Sequence, residues 1–400
     1  MKILFLSGLF PEQSKDEILN QSKGVIQFAA NSLQWNFVKG FDNFIKTDII
    51  SLPFIGSFPF LYKKIYLRSI KFEHIIGADD ICLSFINLPL LKQFFRYSSA
   101  KKELVKRLSN SNEDVLIFIY SVNSPFLKAV VDVKNKFPNI KIILIVPDLP
   151  EFMSDSKNVF YKFLKKIDSK VIKSCLKKVD SFVLLTDTMA DALNVTKPWV
   201  RVEGIFDNSS DTKESRVSDE IKTILYTGTL AKRYGIKNLV DAFNLIDSIN
   251  YRLLICGEGD YRNEIELNAQ KDFRIRYLGQ LPNDQILELQ RKATVLVNPR
   301  TSEGNYTKYS FPSKTMEYLA SGTPTILYKL DGIPEEYFPY CYIPNDESIL
   351  SLKEIIIKVC EKPKEELEKF GNSAKIFVHE NKNPKAQVSK IISMLNLKNN

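Results

Sequence analysis

Uninterrupted apolar runs, each closed off by polar or turn residues, recur through the first half of the chain: Ile3 to Leu6, Val115 to Ile119, Ile140 to Val146 and Phe182 to Leu185. Runs of this kind, apolar at every position, predict strands buried on both faces. Between them apolar residues recur at helical spacing, from about Gly24 to Phe37, Leu90 to Leu108, Pro125 to Lys136 and Val159 to Lys178. Strands that alternate with helices of this length imply right-handed crossovers and a parallel sheet.

A polar, charged stretch, DNSSDTKESRVSDE at 207–220, then interrupts the pattern and predicts a domain boundary. Beyond it the alternation resumes. Strands are predicted at Thr223 to Tyr226, Arg252 to Cys256, Ile275 to Leu278, Thr294 to Val297 and Thr325 to Leu327. Helices are predicted at Lys237 to Ile246, from Asp260, at Asn283 to Arg291 and at Lys314 to Ala320, with two long ones from Ser348 and Lys364. The reading is an α/β chain of two doubly wound, Rossmann-like domains facing each other across a cleft, 1–206 and 221–383. A last helix in 384–400 is placed to pack back on the first domain. A length of 400 residues suits two cores better than one.

Composition narrows the function without choosing it. Lys plus Arg outnumber Asp plus Glu by 56 to 47, a formal charge of +9 that attracts phosphates in general. No zinc-finger spacing or arginine-rich tail points to nucleic acid. The five cysteines are scattered and form no CxxC pair, as expected of reduced cysteines in a cytoplasmic protein. Only His74 and His379 occur, far apart, which excludes a histidine-rich metal centre. The opening MKILFLSGLFPEQ turns polar too soon for a signal peptide or an anchor and reads as the first strand.

The segment richest in candidate chemistry is NPRTSEGNYTKYSFPSKTMEYLASGTPTI, 298–326. A buried strand ends there in a long polar loop carrying Arg300 and Ser310, and Pro312 and Ser313 introduce a helix. Ser313 reads as its N-cap, and free N–H groups, the helix dipole and Lys314 favour an anion at that end. Glu317, a turn further on, suits two vicinal hydroxyls better than a phosphate. The alternative is plain punctuation of one αβ unit, with Gly322 and Pro324 closing the helix. Two glycine turns follow consecutive strands: YTGTLAKRYG, with Gly228 and Thr229, and CGEGD, with Gly257 and Glu258. Neither has the spacing of a P-loop or a dinucleotide fingerprint.

The pieces YTGTLAKRYGIKNLVDAF, LLICGEGD, YLGQLPNDQILELQRKATVLVNPR and YSFPSKTMEYLASGTPTI, in that order over 226–326, resemble the donor-binding domain of retaining glycosyltransferases of the two-Rossmann, or GT-B, fold, particularly glycosyltransferase family four. The resemblance implies that Glu317 binds the donor ribose, that Gly228 and Thr229 face its diphosphate, and that Gly279 to Leu281 lie near its base. Where the family has a second glutamate, this chain has Tyr309. Thr229 and Tyr234 stand where it has a diphosphate-binding arginine and lysine; Lys232, Arg233, Arg300 and Lys314 are the available replacements, with Arg300 and Lys314 favoured because they flank the helix terminus that attracts an anion. The implied reaction moves a sugar with retention from a nucleoside diphosphate sugar, UDP in preference, to a hydroxyl of a glycan or lipid-linked oligosaccharide. It requires neither metal nor cofactor.

In the first half, IVPDLPEF places Asp148 and Glu151 after a strand, where Asp148 either orients the acceptor or caps a turn. The segment FPFLYKKIYLRSIKF, 58–72, interleaves apolar residues with Lys63, Lys64, Arg68 and Lys71. As an exposed helix it would lie on an anionic membrane, making the protein peripheral at the inner face of the cell membrane; as a buried helix its lysines would snorkel. Two further functions stay open: a sugar-nucleotide epimerase of similar architecture, and a non-catalytic sugar-nucleotide-binding subunit.

Overall fold

The structure, a computed structural model, describes residues 1–24, 26–109, 113–149, 159–207 and 221–397, without the side chains of 159–164 and 305. Glu151 and 208–220 of the polar boundary lie outside the described residues. The chain divides into two units: Met1–Ile205 with Pro384–Asn400, and Phe206–Asn383.

Unit 1 runs β1 (Lys2–Ser7), α1 (Lys15–Gln21), α2 (Phe28–Asp42), β2 (Thr47–Ser51), β3 (Tyr66–Leu67), β4 (Ile70–Phe72), β5 (Asp80–Cys82), β6 (Phe85–Ile86), α3 (Leu91–Ser109), β7 (Val115–Tyr120), α4 (Ser124–Lys134), β8 (Ile140–Val146), α5 (Val159–Leu176), β9 (Ser181–Leu184), α6 (Thr188–Ala192) and β10 (Trp199–Arg201). Its eight-stranded sheet has the order β10-β9-β8-β7-β1-β2-β5-β4, parallel except where β4 meets β5. Every residue of β7 is buried because helices cover both faces. The order reverses between β1 and β7, so their C-terminal ends form the crevice in which such sheets bind ligands.

Unit 2 runs β11 (Lys222–Thr227), α7 (Ile236–Asn244), β12 (Tyr251–Cys256), α8 (Arg262–Lys271), β13 (Ile275–Gly279), α9 (Asn283–Lys292), β14 (Val295–Asn298), α10 (Ser313–Ala320), β15 (Thr325–Leu327), α11 (Ile349–Cys360) and α12 (Lys364–Asn381). Its five strands are all parallel, in the order β13-β12-β11-β14-β15. The chain then returns to unit 1 as α13 (Pro384–Met394), which lies on α2. Gly40 permits that approach: a Cβ there would stand 2.3 Å from Val388 Cγ2 and 2.6 Å from the Pro384 carbonyl. Two Rossmann-like units in one chain are the architecture of the GT-B fold.

Several local expectations are corrected. The helix expected from Gly24 begins at Phe28, and a separate α1 precedes it, with Gly24, a poor helix former, between them. Segment 58–72 is not a helix. Its backbone pairs with neighbouring chain: the Lys63 N–H donates to the Gln21 carbonyl at 2.9 Å, the Leu61 carbonyl accepts from Lys23, and Tyr62 turns into the core at 1% exposure. Ser313 is not an N-cap; Pro312, extended at φ −71°, takes that position and Ser313 is the first helical residue. All five cysteines are free and buried. Among the described residues no helix is long and apolar enough to cross a membrane.

His74 ties β5 to the end of α2, with Nδ1 2.6 Å from Asp80 Oδ2 and Nε2 2.9 Å from Asp42 Oδ2. Burial opposes its charge, but the two carboxylates outweigh burial and raise its pKa from 6.5 to about 9. A folded-state pKa above the unfolded one stabilises fully below the unfolded value and is lost as pH rises through the folded one. Urea unfolding is therefore expected to show stability falling between about pH 6.5 and pH 9, and His74→Gln to remove that part of the slope; an unchanged slope in the variant would contradict the assignment.

Candidate functional site

In unit 2 the parallel strands end side by side, and their following loops are stitched backbone to backbone. The Gly228 N–H donates to Cys256 O at 3.0 Å, Gly257 N–H to Gly279 O at 2.8 Å, and Leu230 N–H to Glu258 O at 2.9 Å. A Cβ on Gly257, at φ +136°, would lie 1.8 Å from the Gly228 carbonyl, so only glycine allows this approach. Gly235, at φ +77°, brings the loop after β11 equally close to Pro299, in the loop after β14. These contacts frame a pocket of about 300 Å³.

Eight residues singled out in the sequence line that pocket: Gly228, Thr229, Tyr234, Arg300, Ser310, Pro312, Ser313 and Lys314. Glu317 stands behind it, joined to Lys314, whose Nζ donates to both carboxylate oxygens at 2.8 and 2.9 Å. Gly257, Glu258, Gly279 and Leu281 do not line it. Gly257 and Gly279 instead join the stitched loops, Glu258 pairs with Arg262 at 3.2 Å and accepts from the Tyr277 hydroxyl, and Leu281 packs against a small cluster around Leu225, Leu254 and Tyr318. Asp148 belongs to unit 1, exposed just beyond β8.

Sequence reasoning missed the supports. Gln290, fully buried on α9, donates from Nε2 to Glu317 Oε1 at 2.6 Å and to Thr227 Oγ1 at 3.1 Å. The Tyr318 hydroxyl accepts from the Thr227 N–H at 2.8 Å and donates to the Thr227 carbonyl at 3.0 Å, and burial holds this phenol neutral. Asn298, at the end of β14, donates to Thr315 Oγ1 at 3.4 Å. β11, α9 and α10 are thereby locked together directly beneath the pocket.

Arg300 is the electrostatic centre. Only 8% exposed, its guanidinium stands 5.3 Å from the Tyr234 ring centre and 4.8 Å from that of Tyr306. Arg233 also lies over the Tyr234 ring, 5.0 Å from its centre, and the Tyr306 hydroxyl donates to the Arg233 carbonyl. Among the described residues nothing accepts a hydrogen bond from the Arg300 guanidinium or pairs with its charge, and its buried Nε has no partner. A nearly buried cation without an anion is costly. The first turn of α10, which no side chain caps, faces the same pocket with Lys314 beside it. Cation, helix terminus and concave wall together suit a compact, multiply charged anion. Lys232, the remaining candidate cation, points instead toward Glu264 at 3.8 Å. Among the described residues no group of three His, Cys, Asp or Glu could hold a metal ion.

The fold is that of a GT-B protein, and its second Rossmann-like unit carries a pocket whose lining suits an anion. Comparison with known proteins agrees. Residues 207–377 match the family model described as "Glycosyl transferases group 1". A D-inositol 3-phosphate glycosyltransferase of Corynebacterium glutamicum (strain R) is 28% identical over 167 residues, 37% of this chain and 38% of that protein, so the match spans well under half of the curated relative. Among solved structures, the lipopolysaccharide outer core galactosyltransferase WaaB, in its apo form, covers the whole of both chains at TM-score 0.64 and 14% identity. Anabaena HepE in complex with UDP covers 99% of this chain and 100% of that one, at TM-score 0.63 and 14% identity. Likeness at such identities speaks for the fold. The chain has the GT-B fold and is related, through its second unit, to the group 1 glycosyl transferases.

Proposed function

We propose that the protein is a retaining glycosyltransferase that moves a sugar from a nucleoside diphosphate sugar, in preference a UDP-sugar, to a hydroxyl of a glycan or lipid-linked oligosaccharide. The observation that carries this reading is Arg300, a nearly buried guanidinium that meets no anion among the described residues and lines a pocket with the start of α10. The relatives' names and the family match of unit 2 support the same class of reaction.

The diphosphate would lie between Arg300, the Ser313 end of α10 and the Gly228–Thr229 turn, flanked by Ser310 and Pro312. As the bond from sugar to phosphate breaks, charge grows on the departing diphosphate, where Arg300, Lys314 and the helix N–H groups stabilise it. The cations of the chain thus supply what a metal ion supplies in other transferases. Glu317, fixed by Gln290, accepts the ribose hydroxyls once Lys314 turns from it to phosphate. With no carboxylate nucleophile assigned, the departing phosphate oxygen takes the acceptor proton, and Asp148 orients the acceptor.

Arg300→Gln is expected to lower kcat/KM by about 100-fold or more, since the lost contact strengthens as charge develops. Glu317→Gln should raise the donor KM by about tenfold. Both are read from initial rates over a panel of UDP- and GDP-sugars. Unchanged kinetics in both variants would refute the site; release of free epimerised sugar would support an epimerase, and binding without turnover a non-catalytic subunit.

A cytoplasmic protein working at the inner face of the membrane is supported by the surface around 58–72. Phe60 is 77% exposed, Leu61, Ile65 and Tyr66 are about half exposed, and Arg68 stands among them. The segment is bonded through Asn87 to the chain that leads to exposed Leu90 and Phe94. This surface would enter the headgroup layer through its rings, with the cations meeting anionic lipid. Phe60→Ser with Phe94→Ser is expected to abolish sedimentation with phosphatidylglycerol vesicles, and Lys63→Ser with Lys64→Ser and Arg68→Ser to weaken it. Sedimentation equal to wild type in both sets would reject membrane contact.

A further inference from the structure

Unit 1 contains two buried cations that the donor chemistry does not use. Lys92 and Arg96 lie one turn apart on α3, 8% and 3% exposed. Lys92 Nζ donates to the Ile55 carbonyl, and Arg96 Nη2 to the Leu52 carbonyl at 2.5 Å. Neither meets a carboxylate among the described residues, and the buried Nε of Arg96 has no hydrogen-bond partner. Their titratable neighbour is Cys82, a thiol that burial pushes up to about 12 and keeps neutral; Glu17, near Cys82, is engaged by Lys64 at 2.6 Å.

Holding the 52–56 loop does not require charge. Asn87 does the same work for Gly56, donating from Nδ2 to its carbonyl at 2.9 Å. A neutral donor of suitable length would serve Leu52 and Ile55 equally, so the charge of Arg96, and that of Lys92 when protonated, is surplus to pinning. Burial, and then the nearby Arg96 charge, lower the Lys92 pKa to about 7, so the protein alone supports this cation poorly.

The pair sits where a ligand belongs. The Leu52 N–H donates to Ser7 O at 3.0 Å and the Phe54 N–H to Gly8 O at 2.9 Å, tying this loop to the end of β1. The Arg96 guanidinium also lies 4.8 Å from the ring of Phe126, in the first turn of α4, immediately after β7. These are the two strand ends at which the sheet order reverses. No side chain caps α4, and Ser121, two residues before its N-cap Asn123, holds φ 71°, a strained conformation of the kind that gathers at ligand sites.

We propose that Lys92, Arg96 and the start of α4 form an anion subsite in unit 1 that takes the phosphate or carboxylate of the acceptor. The subsite stands on unit 1 alone; calling its ligand part of the acceptor rests on the transferase reading. The full-length protein, first saturated with UDP to fill the pocket of unit 2, is titrated calorimetrically with methyl phosphate and with glucuronate. Lys92→Gln and Arg96→Gln are treated alike, because glutamine keeps a donor and removes the charge. One or both probes should bind wild type, the tighter one naming the source of the anion, and bind each variant about tenfold more weakly or worse. UDP affinity should stay unchanged. No binding of either probe to wild type, or equal binding to wild type and both variants, overturns the subsite. Should Arg96→Gln fail to fold, Lys92→Gln decides by the same criterion. Failure of UDP to bind, with probe binding still sensitive to the variants, counts against the donor reading and not against this subsite.

Discussion

In unit 2 the backbones of adjacent strand-end loops touch where no Cβ fits. Gly257 meets the Gly228 carbonyl and Gly235 meets that of Pro299, each at a distance only glycine tolerates. The geometry of the pocket depends on these approaches. The second presses the loop after β11 against the loop after β14, which puts Tyr234 on one face of Arg300. Beneath, Gln290, Thr227 and Tyr318 lock β11, α9 and α10 through buried hydrogen bonds, so that the start of α10 and Glu317 are fixed from below. A rigid base with a charged wall is what stabilising charge during bond cleavage demands, since little reorganisation then remains to be done.

Both units keep cations in places where none of the described residues offers them an anion. Arg300 is stacked between tyrosine rings, and Arg96 is surrounded by Phe54, Phe85 and Phe126. Ring faces offset part of the desolvation cost while leaving hydrogen-bonding capacity free. In contrast, the half-buried His74 is paired through both ring nitrogens with two aspartates and holds structure instead of awaiting a ligand.

Much of this was legible in the sequence because burial on both faces leaves an unbroken apolar run. β7, β8 and β15 were readable to within a residue for that reason. β2 was not: TDIIS contains only two large apolar residues, and its polar ones are buried through tertiary partners such as Lys2, 2.6 Å from Asp48. The lining of the pocket was readable where it is local, in the run from Arg300 to Lys314, and opaque where it depends on distant pairing. Tyr318 reaches Thr227 across 91 residues and Gln290 reaches it across 63, and nothing in either helix marks these side chains as different from ordinary core. The basic and apolar segment 58–72 had the composition of an interfacial helix, but hydrogen bonds to Gln21, Lys23 and Asn87 hold it as turns and short strands.

The central claim is that the pocket of unit 2 holds a nucleoside diphosphate through Arg300 and α10. A crystal structure of the protein with UDP tests it most directly. The account predicts diphosphate oxygens within hydrogen-bond reach of the Arg300 guanidinium and the first N–H groups of α10, ribose hydroxyls on Glu317, and Lys314 moved from that carboxylate to phosphate. A nucleotide bound elsewhere, or an Arg300 that still meets no anion while UDP is bound, would contradict it.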